Sequence, residues 1–138
     1  MTAITISARI KQPVEKTWEF FNNPEHVVNW NYADPSWHCP YAENDLKTGG
    51  KFNYRMEAKD GSYGFDFWGV YDNVVPYKTI EYTMGDGRKV WVKFEAQGNE
   101  TFVETRFEPE SSNPLDMQQA GWQSILNNFA GYCESKQS

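Results

Sequence analysis

Apolar and polar residues alternate along several stretches of the chain, which is the pattern of β-strands with one buried face. In the first stretch the apolar positions are Ile4, Ile6, Ala8 and Ile10. The alternation returns between Leu46 and Phe107, where it is interrupted by pairs of turn residues: Gly49-Gly50, Asp60-Gly61, Pro76-Tyr77, Asp86-Gly87 and Gly98-Asn99. Short turns join antiparallel neighbours, so this region is predicted to form an antiparallel meander.

Each strand of the predicted meander has one apolar face that we expect to point inward. The inward residues, strand by strand, are Phe52, Tyr54 and Met56; Tyr63, Phe65, Phe67 and Tyr71; Ile80, Tyr82 and Met84; Val90, Val92 and Phe94; and Val103, Thr105 and Phe107. Trp68, Val70 and Trp91 have the opposite parity, so the two tryptophans are expected on the outer face of the sheet or under the N-terminal elements.

Two short helices are predicted between the first strand and the meander. Pro13 is placed to open the first, because a proline in the first turn loses only an N–H that would lack a partner anyway. Asn23-Pro24 gives a second cap-and-start signal, which predicts a short helix with Val27 and Trp30 on one side. The segment Asn31 to Tyr41 is predicted to be a loop.

A long amphipathic helix is predicted from Pro114 to about Glu134. Asn113 is the expected N-cap, and Asp116 three residues later completes a reciprocal capping arrangement. The apolar positions of this helix form one stripe: Trp122, Ile125, Leu126, Phe129 and Tyr132. A stripe of this width is suited to covering a sheet.

The predicted order of elements is therefore β-α-α-β(6)-α, an α+β architecture in a single domain spanning residues 1–138. A twisted antiparallel sheet that buries one face under a single long helix is expected to curl around that helix. The two short helices and the loop Asn31 to Tyr41 are then the chain left to close the gap between the helix and the far strands. That gap is the predicted pocket.

Several short motifs and the final helix carry a further signal. They are Pro24-Glu25-His26 leading to Trp30, Gly49-Gly50-Lys51-Phe52, Phe67-Trp68-Gly69-Val70-Tyr71, Ile80-Glu81-Tyr82-Thr83, Asp86-Gly87-Arg88 and the helix segment from Gln119 to Phe129. Together they resemble the family of activator of heat-shock-protein-90 ATPase homologues, within the START-related helix-grip (SRPBCC) superfamily. The resemblance implies a helix-grip fold with an internal hydrophobic cavity. Its members range from co-chaperone domains to small-molecule binders and cyclases, so the fold constrains function only loosely.

Large apolar side chains at the inward positions and in the lid segments are the candidate ligand-binding residues. They are Trp30, Trp37, Tyr54, Met56, Phe65, Phe67, Tyr82, Met84, Trp122, Ile125 and Phe129. Tyr54 and Tyr82 also offer hydroxyls as polar anchors, and the alternative is that these hydroxyls reach solvent. The alternative interpretation, an ordinary packed core, applies above all to Phe67, Trp122 and Phe129, since apolar residues at strand or helix spacing usually pack together.

The formal charge of −6, from 13 basic and 19 acidic residues, argues against partners that require a positive surface. Nucleic acids and anionic membranes are therefore not expected partners. Cys39 and Cys133 form no CxxC pair and are expected to be reduced thiols in a cytoplasmic protein. No apolar run approaches the length that spans a bilayer, and residues 1–5 lack a leader-like pattern.

Residues with catalytic potential are few, and we predict no catalytic residue, metal site or cofactor. His26 and His38 lack further metal ligands at matching spacing. His38 and Cys39 are neighbours in the sequence, and adjacent side chains of an extended chain point apart, so they do not suggest a nucleophile with its base. Three charged residues of the meander are expected to be solvated on the outer face unless a strand irregularity turns them inward: Asp66, Glu104 and Arg106.

Three classes of function fit these observations. We favour non-enzymatic binding of a small hydrophobic or amphipathic molecule between the C-terminal helix and the sheet. The resemblance also implies a chaperone-regulating interaction domain of the Hsp90-ATPase-activator type, and an enzyme such as a cyclase or hydrolase acting on a hydrophobic substrate is the third class. On the outer face, Trp68 and Trp91 suggest an aromatic patch for a homodimer or protein partner, with local packing as the alternative.

Overall fold

The computed structural model describes residues 3–136, so residues 1, 2, 137 and 138 of the expected domain lie outside the described part of the chain. The elements follow the predicted order of strand, two short helices, six strands and long helix. They are β1 (Ile4–Ile10), α1 (Val14–Asn22), α2 (Pro24–Val27), β2 (Trp37–Asn44), β3 (Lys51–Ala58), β4 (Gly64–Val75), β5 (Thr79–Met84), β6 (Lys89–Gln97), β7 (Glu100–Phe107) and α3 (Leu115–Ser135).

The strands between residues 3 and 136 form one seven-stranded antiparallel sheet in the order β1-β7-β6-β5-β4-β3-β2. Strands β2 to β7 are the meander, and β1 joins it at the far edge by pairing with β7. Val90, Val92 and Val103 of the central strands are at most 1% exposed, because their inward side chains lie where the sheet is covered. The α+β class and the antiparallel meander predicted from the alternation are confirmed.

One strand lies where a loop was predicted. The second half of the segment Asn31 to Tyr41 belongs to β2, which pairs with β3. This strand shows no clean alternation because its register shifts between His38 and Tyr41, and Pro40 lies within the shift. An irregular edge strand of this kind also discourages pairing with another chain.

Strand β4 departs from the predicted pattern at both ends. The prediction that Tyr63 points inward was wrong, because Tyr63 precedes the strand and is 63% exposed. At the other end, the pairing with β5 shifts between Tyr71 and Asn73. Beyond this bulge the parity is reversed, and Val74 packs against the core.

Helix α3 begins one residue later than predicted, and its predicted N-cap was wrong. Pro114 occupies the cap position, and no side chain in the described part of the chain caps the helix. The backbone N–H of Asn113 instead donates to the carboxylate of Glu110 at 2.6 Å. Gln118 closes this turn, because its side-chain amide donates to the backbone carbonyls of Glu110 and Asn113 at 3.0 and 2.8 Å.

The long helix is held to one edge of the sheet. Gln119 and Gln123 donate their side-chain amides to the backbone carbonyls of Thr5 and Ser7 in β1 at 3.3 and 3.0 Å. Because β1 is an edge strand, these bonds anchor α3 and also cover carbonyls that would lack a strand partner. The helix therefore packs along β1 and leaves a gap between itself and strands β3 to β5.

Candidate functional site

A cavity of about 310 Å³ occupies the gap between α3 and the inner face of the sheet. This volume lies at the lower end of the range that is typical of small-molecule sites. Its walls are formed by inward side chains of β1 and of β3 to β7, by α3, by α1 and by the segment that follows α2. The cavity thus lies where the sequence predicted a pocket.

One end of the cavity is closed by aromatic rings from the short helices and their connection. The Asn23 side chain caps α2 as predicted, accepting a hydrogen bond from the backbone N–H of Glu25 at 3.0 Å. Trp30 follows this helix and stacks on Phe21 of α1, with 5.5 Å between ring centroids. The Trp30 indole N–H donates to the backbone carbonyl of Phe20 at 3.0 Å, which fixes the ring across the end of the cavity.

The other end is open. The β3–β4 and β5–β6 turns lie at the same end of the sheet, because alternate hairpins of a meander turn in the same place. Phe65 lies at this end and is 41% exposed although it lines the cavity, so it marks the mouth. Trp37 and Tyr63 surround it, with ring centroids 6.0 and 6.1 Å from that of Phe65.

Most of the predicted ligand-binding residues meet at this cavity. Those that line it are Trp30, Tyr54, Met56, Phe65, Phe67, Tyr82, Trp122 and Ile125. The strand residues among them converge because they share the inward parity of neighbouring strands, and Trp122 and Ile125 lie on the apolar stripe of α3. The Trp122 ring stacks on the Phe107 ring with 4.0 Å between their centroids, and this contact holds the helix against the sheet beside the cavity.

The other predicted residues, Trp37, Met84 and Phe129, do not line the cavity. Phe129 is fully buried, and its ring packs against that of Phe21 with 5.2 Å between the ring centroids. It therefore belongs to the core below the closed end of the cavity. Met84 is the last residue of β5 and is buried in the core. Trp37 begins the edge strand β2 and packs against Phe65 outside the mouth.

Three tyrosines, Tyr54, Tyr71 and Tyr82, supply hydroxyls to the cavity wall. Tyr71 donates its hydroxyl to the side-chain oxygen of Asn44 at 2.6 Å, and the Tyr54 hydroxyl lies beside it. Burial raises the pKa of all three phenols, so each stays protonated at neutral pH. Within residues 3–136 the Tyr82 hydroxyl has no hydrogen-bond partner, so it is free to donate to a bound molecule.

Arg88 lines the cavity and was missed by the sequence analysis. It lies two positions before Val90, the first inward residue of β6, so extending the alternation by one step identifies it. Its Nε donates to Asp86 Oδ2 at 2.7 Å, and its Nη1 donates to the backbone carbonyl of Glu108 at 3.2 Å. These bonds hold the guanidinium at the open end of the cavity.

The charged residues expected on the outer face are not among the residues that line the cavity. Asp66 is exposed and lies 3.6 Å from the guanidinium of Arg55. Arg106 is exposed and covers the ring of Trp91 at 5.1 Å. Glu104 is half-buried and pairs with Lys93 in the β6–β7 register.

The histidines are engaged away from the cavity. His26 Nδ1 lies 2.6 Å from the Tyr132 hydroxyl, and His38 lies 3.9 Å from the Glu57 carboxylate. Among the described residues, no group of three or more metal-ligating side chains occurs. Within residues 3–136, no histidine or carboxylate therefore lines the cavity.

The outer tryptophans occupy separate places on the sheet. Trp68 is 44% exposed and packs over Gly85, where any side chain would collide with its indole. Trp91 of β6 lies under the guanidinium of Arg106, which belongs to the neighbouring strand β7. Between them runs a polar ladder formed by Asp72, Thr83 and Lys89. Trp68 and Trp91 are thus separated by polar groups, and a partner surface at this face stays a prediction.

We expect the thiol of Cys39 to react slowly in the folded protein at pH 8. Burial raises its pKa from 9.0 to about 11, which lowers the thiolate fraction at pH 8 by about 100-fold. The greater nucleophilicity of a less acidic thiolate recovers about tenfold, so the net loss is about tenfold. Reaction with 5,5′-dithiobis(2-nitrobenzoate), followed by absorbance, should therefore be slower than in the unfolded chain.

The rate should also increase as the pH is raised toward 11, because the thiolate fraction of Cys39 grows over that range. Cys133, whose pKa burial raises to about 12, should behave in the same way. Equal rates in the folded chain and in concentrated guanidinium chloride would show that these thiols are not buried as described.

Comparison with known proteins identifies the family. The sequence model of the family described as activator of Hsp90 ATPase homolog 1-like protein matches residues 11–134. The chain belongs to this family. The AHSA1-like protein from Aeromonas hydrophila is 40% identical, with a TM-score of 0.87 over 96% of this chain and 93% of that one. Chr148 from Cytophaga hutchinsonii is 49% identical, with a TM-score of 0.84 over 96% and 92% of the two chains.

More distant structures share the fold. Protein NE0264 from Nitrosomonas europaea is 15% identical and has a TM-score of 0.82 over 98% of this chain and 96% of its own. The predicted helix-grip fold, a curved antiparallel sheet with a long C-terminal helix, is confirmed. A search of curated proteins found no match. No helix within residues 3–136 combines the length and the hydropathy needed to cross a membrane.

Proposed function

We propose that the protein binds one small apolar or amphipathic molecule in the cavity and carries out no reaction on it. The observation that supports this function is the vacant volume of about 310 Å³ inside a largely aromatic wall. Protein interiors are normally close-packed, and side chains that border a void lose their contacts on one side. A ligand that fills the cavity restores those contacts.

The energetics favour such a complex. Removing about 200 Å² of apolar ligand surface from water contributes about 5 kcal/mol before the costs of association. The cavity already holds its rings in place through stacking and through the Trp30 hydrogen bond, so little ordering is needed on binding. The polar groups of Tyr82 and Arg88 can orient the bound molecule.

The polar groups of the cavity favour binding over catalysis. Burial raises the pKa of Tyr82, which makes it a poor base near neutral pH. The Arg88 guanidinium offers hydrogen-bond donors and no acceptor, so it does not supply a base. A cyclase or hydrolase would need a group that titrates near the working pH, so enzymatic function is the less supported proposal.

The family description supplies a second candidate. It names an activator of the Hsp90 ATPase, so regulation of a chaperone is an alternative for this chain. Adding the protein to a purified Hsp90 and measuring ATP hydrolysis tests it directly, and stimulation would favour this alternative. We place either function in the cytoplasm, because the free thiols of Cys39 and Cys133 suit a reducing compartment.

Titration with N-phenyl-1-naphthylamine, a neutral apolar probe that fluoresces in apolar sites, tests the binding proposal. We expect saturation at one probe per chain. Phe65→Asp places a charge at the mouth and should weaken binding by about tenfold or more. Trp68→Asp is the matched control, because Trp68 lies on the same strand with similar exposure, 44% against 41%, but on the outer face.

The control variant should bind the probe as the unchanged protein does. Absence of saturable fluorescence would overturn the proposal. Equal weakening in the two variants would place the probe outside the cavity and would count against it in the same way.

A further inference from the structure

Arg88 differs from the rest of the cavity wall in carrying a charge. Among the residues between positions 3 and 136 that line the cavity, Arg88 is the one with a charged side chain, and no Asp or Glu is among them. The chain as a whole carries a formal charge of −6. The positive charge of Arg88 therefore lies at the mouth of a largely apolar cavity, in a protein whose net negative charge repels anions.

The Arg88 guanidinium is fixed in position but retains free donors. Its Nε and one N–H of Nη1 are bonded, to Asp86 Oδ2 at 2.7 Å and to the Glu108 carbonyl at 3.2 Å. Nη2 has no partner among the described residues. A guanidinium has N–H donors in a rigid fork that matches the oxygens of an acidic group. Asp86 is half-exposed and does not line the cavity, so it orients the fork without filling the site.

A second free donor lies close to the fork. Tyr82 is an inward residue of β5, the neighbouring strand, and the positive charge of Arg88 acts on its hydroxyl. That hydroxyl has no partner within residues 3–136, as described above. Arg88 lies at the open end of the cavity, whereas the closed end is lined by the rings of Phe21 and Trp30 and by the uncharged amides of Asn22 and Asn31. The charged and uncharged parts of the described lining are therefore arranged along one axis.

We propose that the ligand is an organic acid with a single anionic group, which binds Arg88 and Tyr82 at the mouth while an apolar body fills the cavity behind them. This inference rests on the proposed function and specifies its ligand class. A neutral apolar ligand would leave the donors of Arg88 and Tyr82 without acceptors once it excluded water, which costs binding free energy. An acid satisfies them.

Two probes with the same ring skeleton test this proposal. 8-Anilinonaphthalene-1-sulfonate differs from N-phenyl-1-naphthylamine by its sulfonate, so comparing the pair isolates the anionic group. Arg88→Met keeps much of the side-chain stem and removes the charge. We expect it to weaken sulfonate binding by about tenfold or more and not to weaken binding of the neutral probe, because it removes donors that this probe leaves without an acceptor.

Arg55→Met is the matched control, because it removes the same charge from a half-buried arginine on the outer face. It should leave both affinities unchanged. Arg88→Lys, which keeps the charge and loses the fork, should recover part of the sulfonate affinity. Added sodium chloride should weaken sulfonate binding more in the unchanged protein than in Arg88→Met, because the variant lacks the attraction that salt screens and keeps the repulsion by the net negative charge of the chain.

The two levels of proposal fail differently. Saturable binding of the neutral probe, together with a sulfonate affinity that is the same in Arg88→Met as in the unchanged protein, would overturn the acid ligand and leave the binding function standing. Equal losses for the two probes in Arg88→Met would overturn the acid ligand as well. Failure of the sulfonate alone to saturate would overturn the acid ligand, and failure of both probes to saturate would overturn both proposals.

Discussion

Replacing Phe129 by alanine is expected to lower the free energy of unfolding by about 3–5 kcal/mol. The Phe129 side chain is fully buried, and its ring contacts those of Phe21 and Trp30 at 5.2 and 4.8 Å. Truncation removes these contacts and leaves a cavity that rigid neighbouring rings cannot fill. Denaturant unfolding followed by circular dichroism measures the loss, which is a large part of the stability of a typical domain.

Phe65→Ala is the control for this prediction. Phe65 is 41% exposed at the mouth, so its truncation should cost less than about 1 kcal/mol. If Phe129→Ala cost as little as Phe65→Ala, Phe129 would border open space. That result would support its predicted place in the ligand site and contradict its place in the core.

Replacing Ile125 by tryptophan is expected to abolish saturable binding of N-phenyl-1-naphthylamine. Ile125 is half-buried on α3 and faces the cavity, so the larger indole can occupy the vacant volume. Because that volume is empty, the free energy of unfolding should change by less than about 1 kcal/mol. A fluorescence titration and a denaturant unfolding curve on the same sample measure the two effects.

Phe129→Trp is the matched control, since Phe129 lies one helical turn beyond Ile125. There the added atoms meet a packed core, and overpacking should cost about 1–3 kcal/mol. Similar destabilisation by the two tryptophans would show that the space beside Ile125 is already filled, and the cavity would then not exist in solution.

Much of the fold could be predicted because most strands have one covered face. In β3 and β6 the inward residues, such as Met56 and Val92, alternate without interruption, so parity identifies them. Edge strand β2 has no such pattern, since its bulge around Pro40 breaks the period. The N-terminus of α3 could not be predicted from capping motifs either. The Gln118 side chain bonds to backbone carbonyls five and eight residues earlier, which a motif of four residues does not describe.

The candidate site shows the same division. Alternation placed Tyr54 and Tyr82 on the cavity wall, since it decides which face of the sheet a side chain joins. The helical period does not show which residues of the apolar stripe of α3 border the cavity and which lie in the core. Ile125 lines the cavity, whereas Phe129 lies in the core because α1 packs there. Arg88 has the inward parity of β6, but charged residues are mostly exposed, so parity alone does not assign it to the cavity wall.

A crystal structure under xenon pressure is the most direct test of the vacant cavity. Xenon enters dry apolar cavities, so it reports whether the space between α3 and the sheet is empty. We predict a xenon site, or a co-purified molecule in its place, near Phe67, Tyr82 and Ile125. Side chains collapsed into that space, with neither xenon nor a co-purified molecule bound, would contradict the central claim.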